Sequence, residues 1–218
     1  MRAPNLSRVL LLALDTATAV VSVALYDGDQ VIAERSGSGA KRHAELLAPA
    51  VADVLGEVGA SARDLTHVAV GVGPGPYTGL RVGVMTARTL GAVLAVPVHG
   101  VCSLDVLAAA AGPGAGRFMV ATDARRREVY WASYDGARTR VSGPGVAKPA
   151  EIATEQPVVG RGGQLYPTAF PNAREPLDPA AGVLARAVAE GAVALLEPQP
   201  LYLRKPDVAE PASRKPVR

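Results

Sequence analysis

Cysteine, aromatic residues and long apolar runs are all scarce in this chain of 218 residues. A lone cysteine, Cys102, excludes an intramolecular disulfide and fits a reducing compartment. It lies in the apolar stretch VHGVCSLDVL and reads as a buried structural thiol rather than a nucleophile. Aromatic residues make up 4% of the chain against a hydrophobic fraction of 49%, so the core has to be built from Ala, Val and Leu. The longest apolar run, residues 9–14, is too short to span a bilayer. The opening MRAPNLSRVLLLALDTAT could pass for a signal peptide, but Asp15 interrupts the run and a strand pattern follows. The expected location is therefore the cytoplasm, with no membrane partner. Three histidines, His43, His67 and His99, offer no pair at ligand spacing, and neither HExxH nor GxSxG occurs. No metal site is expected.

The formal net charge is +3 with a pI near 9.2. Part of the excess sits at the end of the chain, in Arg204, Lys205, Arg214, Lys215 and Arg218. Such a tail reads as solvated and disordered, with a nucleic-acid contact as the alternative.

Hydropathy patterning predicts strands at 8–14, 20–26 and 30–34, the last two joined across Asp27-Gly28-Asp29. A flexible loop over 36–41 leads to a helix over 43–58 with a wide apolar stripe. A capped turn at 61–64 precedes a buried strand at 67–72, a Gly-rich turn at 73–79, a helix over 78–94 and a strand at 96–99. A helix over 103–111 follows, with Ser103 as its N-cap. The stretch AGPGAG, 111–116, marks the domain boundary. Beyond it come strands at 118–123, 129–134 and 157–160, a Gly/Pro-rich loop at 141–149 and an Ala-rich helix at 180–196.

The segment GVGPGPYTGLRVG, 71–83, places glycines between a strand and a helix N-terminus. That geometry suits an anion such as phosphate. Its spacing matches neither G-x-G-x-x-G nor a Walker A loop, so two readings stay open. One is a phosphate cradle in which Gly73, Gly75 and Gly79 face Asp15 and Thr16; the other is a tight turn whose glycines solve sterics. Along the helix, Gly79, Gly83, Ala87 and Gly91 recur every four residues. Each glycine costs roughly 1 kcal/mol of helix propensity, so close packing should compensate, against the chain's own sheet or against another subunit. Arg81 and Arg88 share a face of this helix and read as solvated.

Taken together, LALDTATAVVSVAL, HAELL, GVGPGPYTGLRVG, LAVPVHGVCSLDVLA, DARRREVYWASY and PLYLRKPDV resemble the TsaB family of the bacterial tRNA threonylcarbamoyladenosine machinery, over residues 8 to about 208. The resemblance implies an α/β, two-lobed actin-like ATPase (ribonuclease H-like) fold with mixed sheets and helices and a smaller C-terminal lobe. The lobes would be 1–111 and 112–204, with a disordered basic tail at 205–218. It also implies a TsaD-like catalytic partner and a TsaE-like ATPase, with tRNA contacted only indirectly or weakly. A homodimer is expected when the partner is absent. In the catalytic paralogue a His-x-x-x-His pair holds a metal; here the corresponding positions are Ser103 and Leu107, and leucine cannot ligate. The nearest candidate for a Gly-rich adenosine loop is VGRGG, 159–163.

The expected role is thus a non-catalytic scaffold or activator, with no catalytic residue and no cofactor of its own. Its partner interface would run along Leu46, Ala50, Gly79, Gly83, Ala87 and Gly91. The alternatives are a nucleotide-dependent phosphotransferase using Asp15, Thr16 and the Gly-rich turn, or a metallopeptidase.

Overall fold

A computed structural model describes residues 9–39, 42–111, 116–136 and 139–204. Arg8, Lys41, most of the AGPGAG boundary and the basic tail at 205–218 lie outside the described residues.

Strands β1 (Leu11–Asp15), β2 (Val20–Tyr26) and β3 (Val31–Ser38) form an antiparallel meander, and helix α1 (His43–Glu57) follows. β4 (His67–Gly73), α2 (Tyr77–Leu94) and β5 (Val98–Cys102) add two strands parallel to β1, giving the order β3-β2-β1-β4-β5. Helix α3 (Ser103–Ala110) leads to a second sheet made of β6 (Arg117–Asp123), β7 (Val129–Asp135), β8 (Arg140–Ala147), β9 (Val158–Val159) and β10 (Ala173–Arg174). Its order, β10-β9-β6-β7-β8, repeats the first in sequence position: three antiparallel strands, then two parallel ones. This is the duplicated, two-lobed plan that the sequence resemblance implies. Helix α4 (Arg161–Leu165) packs on β6, and α5 (Ala181–Ala189) packs on the first sheet.

Side-chain alternation covers the first sheet on both faces. Leu12, Leu14, Val68, Val70 and Val72 join the cluster under α1 and α2. Leu11, Ala13 and Ala69 point the other way, against Leu184 and Ala185 of α5. That helix is tied down at its start: Ala181 N–H donates to Ser22 Oγ at 2.8 Å and Gly182 N–H to Glu34 Oε1 at 3.0 Å. The cluster under α1 and α2 contains no aromatic residue, whereas the other buried clusters take in Tyr26, Phe118, Tyr134 and Phe170. Helix α3 joins the two sheets, with Leu104 and Leu107 packed among Phe118, Val120, Ala132 and Tyr134. The Tyr134 hydroxyl donates to Asp105 Oδ1 at 2.7 Å, and Arg140 lies 3.6 Å from the same carboxylate.

Several elements differ from the sequence expectation. β3 runs on through Ser36, Gly37 and Ser38, because pairing with β2 holds a stretch that composition reads as a loop. β5 begins later than expected and ends at Cys102. Ser103 is the first helical residue rather than the N-cap of α3; Cys102 holds that place, and the serine hydroxyl is engaged elsewhere. The Gly/Pro-rich segment at 141–149 is largely strand β8, a sheet edge where a proline removes no needed hydrogen bond. α5 stops at Ala189, not near Leu196, and Gly191 follows at φ +63°, a left-handed stop for a helix. Leu196 instead bridges to Gly100.

Candidate functional site

The turn after β1 and the Gly-rich turn after β4 meet at the C-terminal ends of their strands. Asp15 is 1% exposed. Its Oδ1 accepts the Ala17 N–H at 2.8 Å and its Oδ2 accepts the Ser103 hydroxyl at 2.7 Å. The same serine oxygen accepts the Gly73 N–H at 3.2 Å. Burial pushes the Asp15 carboxyl up from 3.8 to about 6, against the opposing pull of its bonds to Ser103 and Ala17. Gly71 makes room for this arrangement: a Cβ there would sit 1.8 Å from Asp15 Oδ2.

Thr16 is inserted into α2. Its hydroxyl donates to the Gly79 carbonyl at 2.8 Å and accepts the Gly83 N–H at 3.1 Å. A Cβ on Gly83 would lie 2.3 Å from Thr16 Oγ1, and one on Gly79 would lie 2.8 Å from the Thr16 carbonyl. A Cβ on Gly75 would lie 2.2 Å from the Ala17 carbonyl. His43, first residue of α1, closes the group: its Nε2–H donates to the Thr18 carbonyl at 2.7 Å.

The structure brings Asp15, Thr16, Gly73, Gly75 and Gly79 together. The two turns touch backbone to backbone, and the glycines make room for that approach. Of the small-residue ridge, Gly79, Gly83, Ala87 and Gly91 are all buried in the structure: Gly79 and Gly83 lie against Thr16, Ala87 is in the core under α1 and α2, and a Cβ on Gly91 would lie 2.2 Å from Val98 Cγ2. Leu46 and Ala50 on α1 remain half-buried. What α2 exposes is its other side, with Arg81, Met85, Arg88 and Val93; Met85 is 48% and Val93 76% exposed.

Ser103 and Leu107, where the resemblance places a metal-binding pair in the catalytic paralogue, are both engaged within the fold. Leu107 is in the core and Ser103 serves Asp15. Among the described residues no cluster of His, Cys, Asp or Glu is placed to hold a metal ion. His67 and His99 stack at 5.6 Å, and burial, then the neighbouring His67, holds His99 below the ordinary imidazole range. Around the expected adenosine loop, Gly160 and Gly162 let α4 sit close on Ala121 of β6. No helix among the described residues is long and apolar enough to cross a membrane.

Sequence reasoning missed two features beside the turns. Tyr77 and Tyr202 stack with ring centroids 5.0 Å apart, and the Arg81 guanidinium lies 5.1 Å from the Tyr77 centroid. They border a cavity of about 220 Å³ between the two sheets, lined also by Tyr130, Arg125, Arg126 and Arg204. The run ARRRE was the available signal for the arginines. Nothing local announced Tyr202 as a partner for Tyr77.

Known proteins share this plan. Residues 30–175 match the family model described as TsaD, tRNA N6-adenosine threonylcarbamoyltransferase. The tRNA threonylcarbamoyladenosine biosynthesis protein TsaB of Escherichia coli is 35% identical over 170 residues, covering 72% of this chain and 73% of that protein. An uncharacterized Mycobacterium leprae protein is 40% identical over 216 residues, covering 95% of this chain; the chain spans 58% of that relative's length. A crystal structure from Pseudomonas aeruginosa, titled as similar to peptidase YeaZ, superposes with a TM-score of 0.75 at 31% identity, covering 90% of this chain and 100% of that one. Sequence, family model and topology agree, and the chain belongs to the TsaB family.

Proposed function

We propose that this chain is a non-catalytic scaffold or activator subunit in tRNA threonylcarbamoyladenosine synthesis, supporting threonylcarbamoyl transfer by a TsaD-like partner with a TsaE-like ATPase. The observation that carries the reading is the closure of the two turns on each other. A fold built to hold a nucleotide between its lobes here has Asp15 sealed by Ser103 and Ala17, and Thr16 plugged into α2. The Asp15 carboxylate and the Thr16 hydroxyl are thus engaged within the chain, which favours the scaffold reading over a phosphotransferase that uses those two side chains. The peptidase alternative loses its metal positions to a core leucine and an engaged serine.

The partner surface is assigned to the outward side of the α1–α2 pair. Leu46 and Ala50 lie there half-buried, and Met85 and Val93 supply exposed apolar area. A second copy of the chain would use the same face when the partner is absent. Reconstitution tests the role. The chain alone should leave tRNA unmodified when given threonylcarbamoyl-adenylate. Added to a TsaD-like subunit and a TsaE-like ATPase with ATP, it should raise turnover at least tenfold. Modification by the chain alone, or no dependence on it, would contradict the reading.

A further inference from the structure

The turn joining β6 to β7 carries Arg125, Arg126 and Arg127 in succession, all left-handed at φ +61°, +53° and +62°. Glycine or asparagine is the usual occupant of such a backbone. Three arginines in a row hold it at a conformational cost, which marks the side chains themselves as useful. Arg125 and Arg126 line the cavity beside Tyr77 and Tyr202, and Arg127 borders the neighbouring groove along Lys148. With Arg81 and Arg204, five arginines stand at this corner, Arg125 paired with Asp123 and Arg204 with Glu128. Beside them Tyr77 and Tyr202 are 44% and 40% exposed, a flat aromatic pair with a guanidinium against one ring.

We propose that this corner binds a single-stranded polynucleotide, with phosphates on the Arg125–Arg127 turn and a base stacked on the Tyr77–Tyr202 pair. Arginine-lined grooves beside exposed aromatic rings recognise unpaired strands, because every base has a π-face and every nucleotide a phosphate. An acidic peptide would use the arginines but has no call on the stacked tyrosines. The cavity, about 220 Å³, is below the roughly 300–1,000 Å³ of pockets that enclose a small ligand. A strand crossing its mouth fits better than an enclosed mononucleotide. The inference goes beyond the scaffold role and does not depend on it, since the isolated chain can be assayed without any partner.

The test is fluorescence anisotropy of the full chain with a labelled single-stranded RNA of about 12 nucleotides. Salt-dependent binding is expected, tighter than to a duplex of the same sequence. Arg126→Gly with Arg127→Gly suits the left-handed backbone and should keep the fold, checked by thermal melting. It should weaken binding at least tenfold and lower the salt slope by about 1.4, at about 0.7 per phosphate contact. Tyr202→Ala should weaken binding about tenfold and leave that slope unchanged. Arg63→Ala with Arg174→Ala removes the same charge away from the cleft and should change nothing. The proposal is overturned if the wild-type chain does not bind, if the two arginine pairs weaken binding equally, or if the duplex binds as well as the strand. Displacement of the RNA by equimolar AMP would overturn it in favour of a free mononucleotide.

Discussion

Asp15→Asn should stabilise the protein at neutral pH and do almost nothing in acid. The side chain is buried beneath both turns, and burial lifts its carboxyl from 3.8 to about 6. A folded-state value above the unfolded one means the folded protein binds the proton more tightly. Stability is therefore greatest below about pH 4, where Asp15 is protonated in both states, and is lost as pH rises through about 6. The rise corresponds to about 3 kcal/mol at about 1.4 kcal/mol per pH unit. Asparagine mimics the protonated acid: its carbonyl accepts the Ala17 N–H and its amide donates to Ser103 Oγ, so that, as with a proton on Asp15 Oδ2, the Ser103 hydroxyl loses the oxygen it donates to. Urea denaturation of both proteins from about pH 4 to pH 8 measures the difference. It should grow from near zero to roughly 2–3 kcal/mol in favour of the asparagine variant, with most of the change between pH 4 and 6. A variant less stable than wild type by the same amount at every pH would refute the reasoning, since the loss would then be steric. A variant that loses most at pH 8 would show that the ionised carboxylate is favoured.

Gly83→Ala should destabilise by about 1–3 kcal/mol despite a propensity gain of about 1 kcal/mol, because its Cβ meets the Thr16 hydroxyl and breaks a two-way bond. Thermal melting should show a drop of roughly 2–4 °C per kcal/mol; an unchanged or higher midpoint would mean Thr16 is not inserted in α2. Cys102 is buried, and burial, then Asp105, pushes its thiol up to about 11. An aromatic disulfide reagent should leave it unmodified in the native protein and titrate it fully in denaturant.

The first sheet was largely legible, since β1, β2 and β4 are apolar runs bounded by clear turns and α1 has a periodic stripe. What failed has local causes. β8 hides behind Gly143, Pro144 and Gly145, which composition assigns to a loop and an edge strand tolerates. α5 looks longer than it is because Ala192, Val193 and Leu195 keep its apolar character past the Gly191 stop. The site was half legible. Asp15, Thr16 and the glycines could be picked out one by one, because strand-turn-helix junctions with glycine suggest close approach. What approaches them could not. The partner of Gly83 is Thr16, 67 residues away, and the partner of Asp15 is Ser103, 88 residues away. Periodicity shows that Gly79, Gly83, Ala87 and Gly91 share one face of a helix, but not whether that face turns inward.

The most direct measurement is complex formation with a TsaD-like subunit by sizing chromatography, comparing wild type with Met85→Arg and Val93→Arg combined. Both residues are exposed, so the monomer should fold and melt normally. An interface on the outward face of α2 predicts that wild type co-elutes with the partner and the variant does not. Undiminished complex formation by the variant would place the contact elsewhere and contradict the assignment.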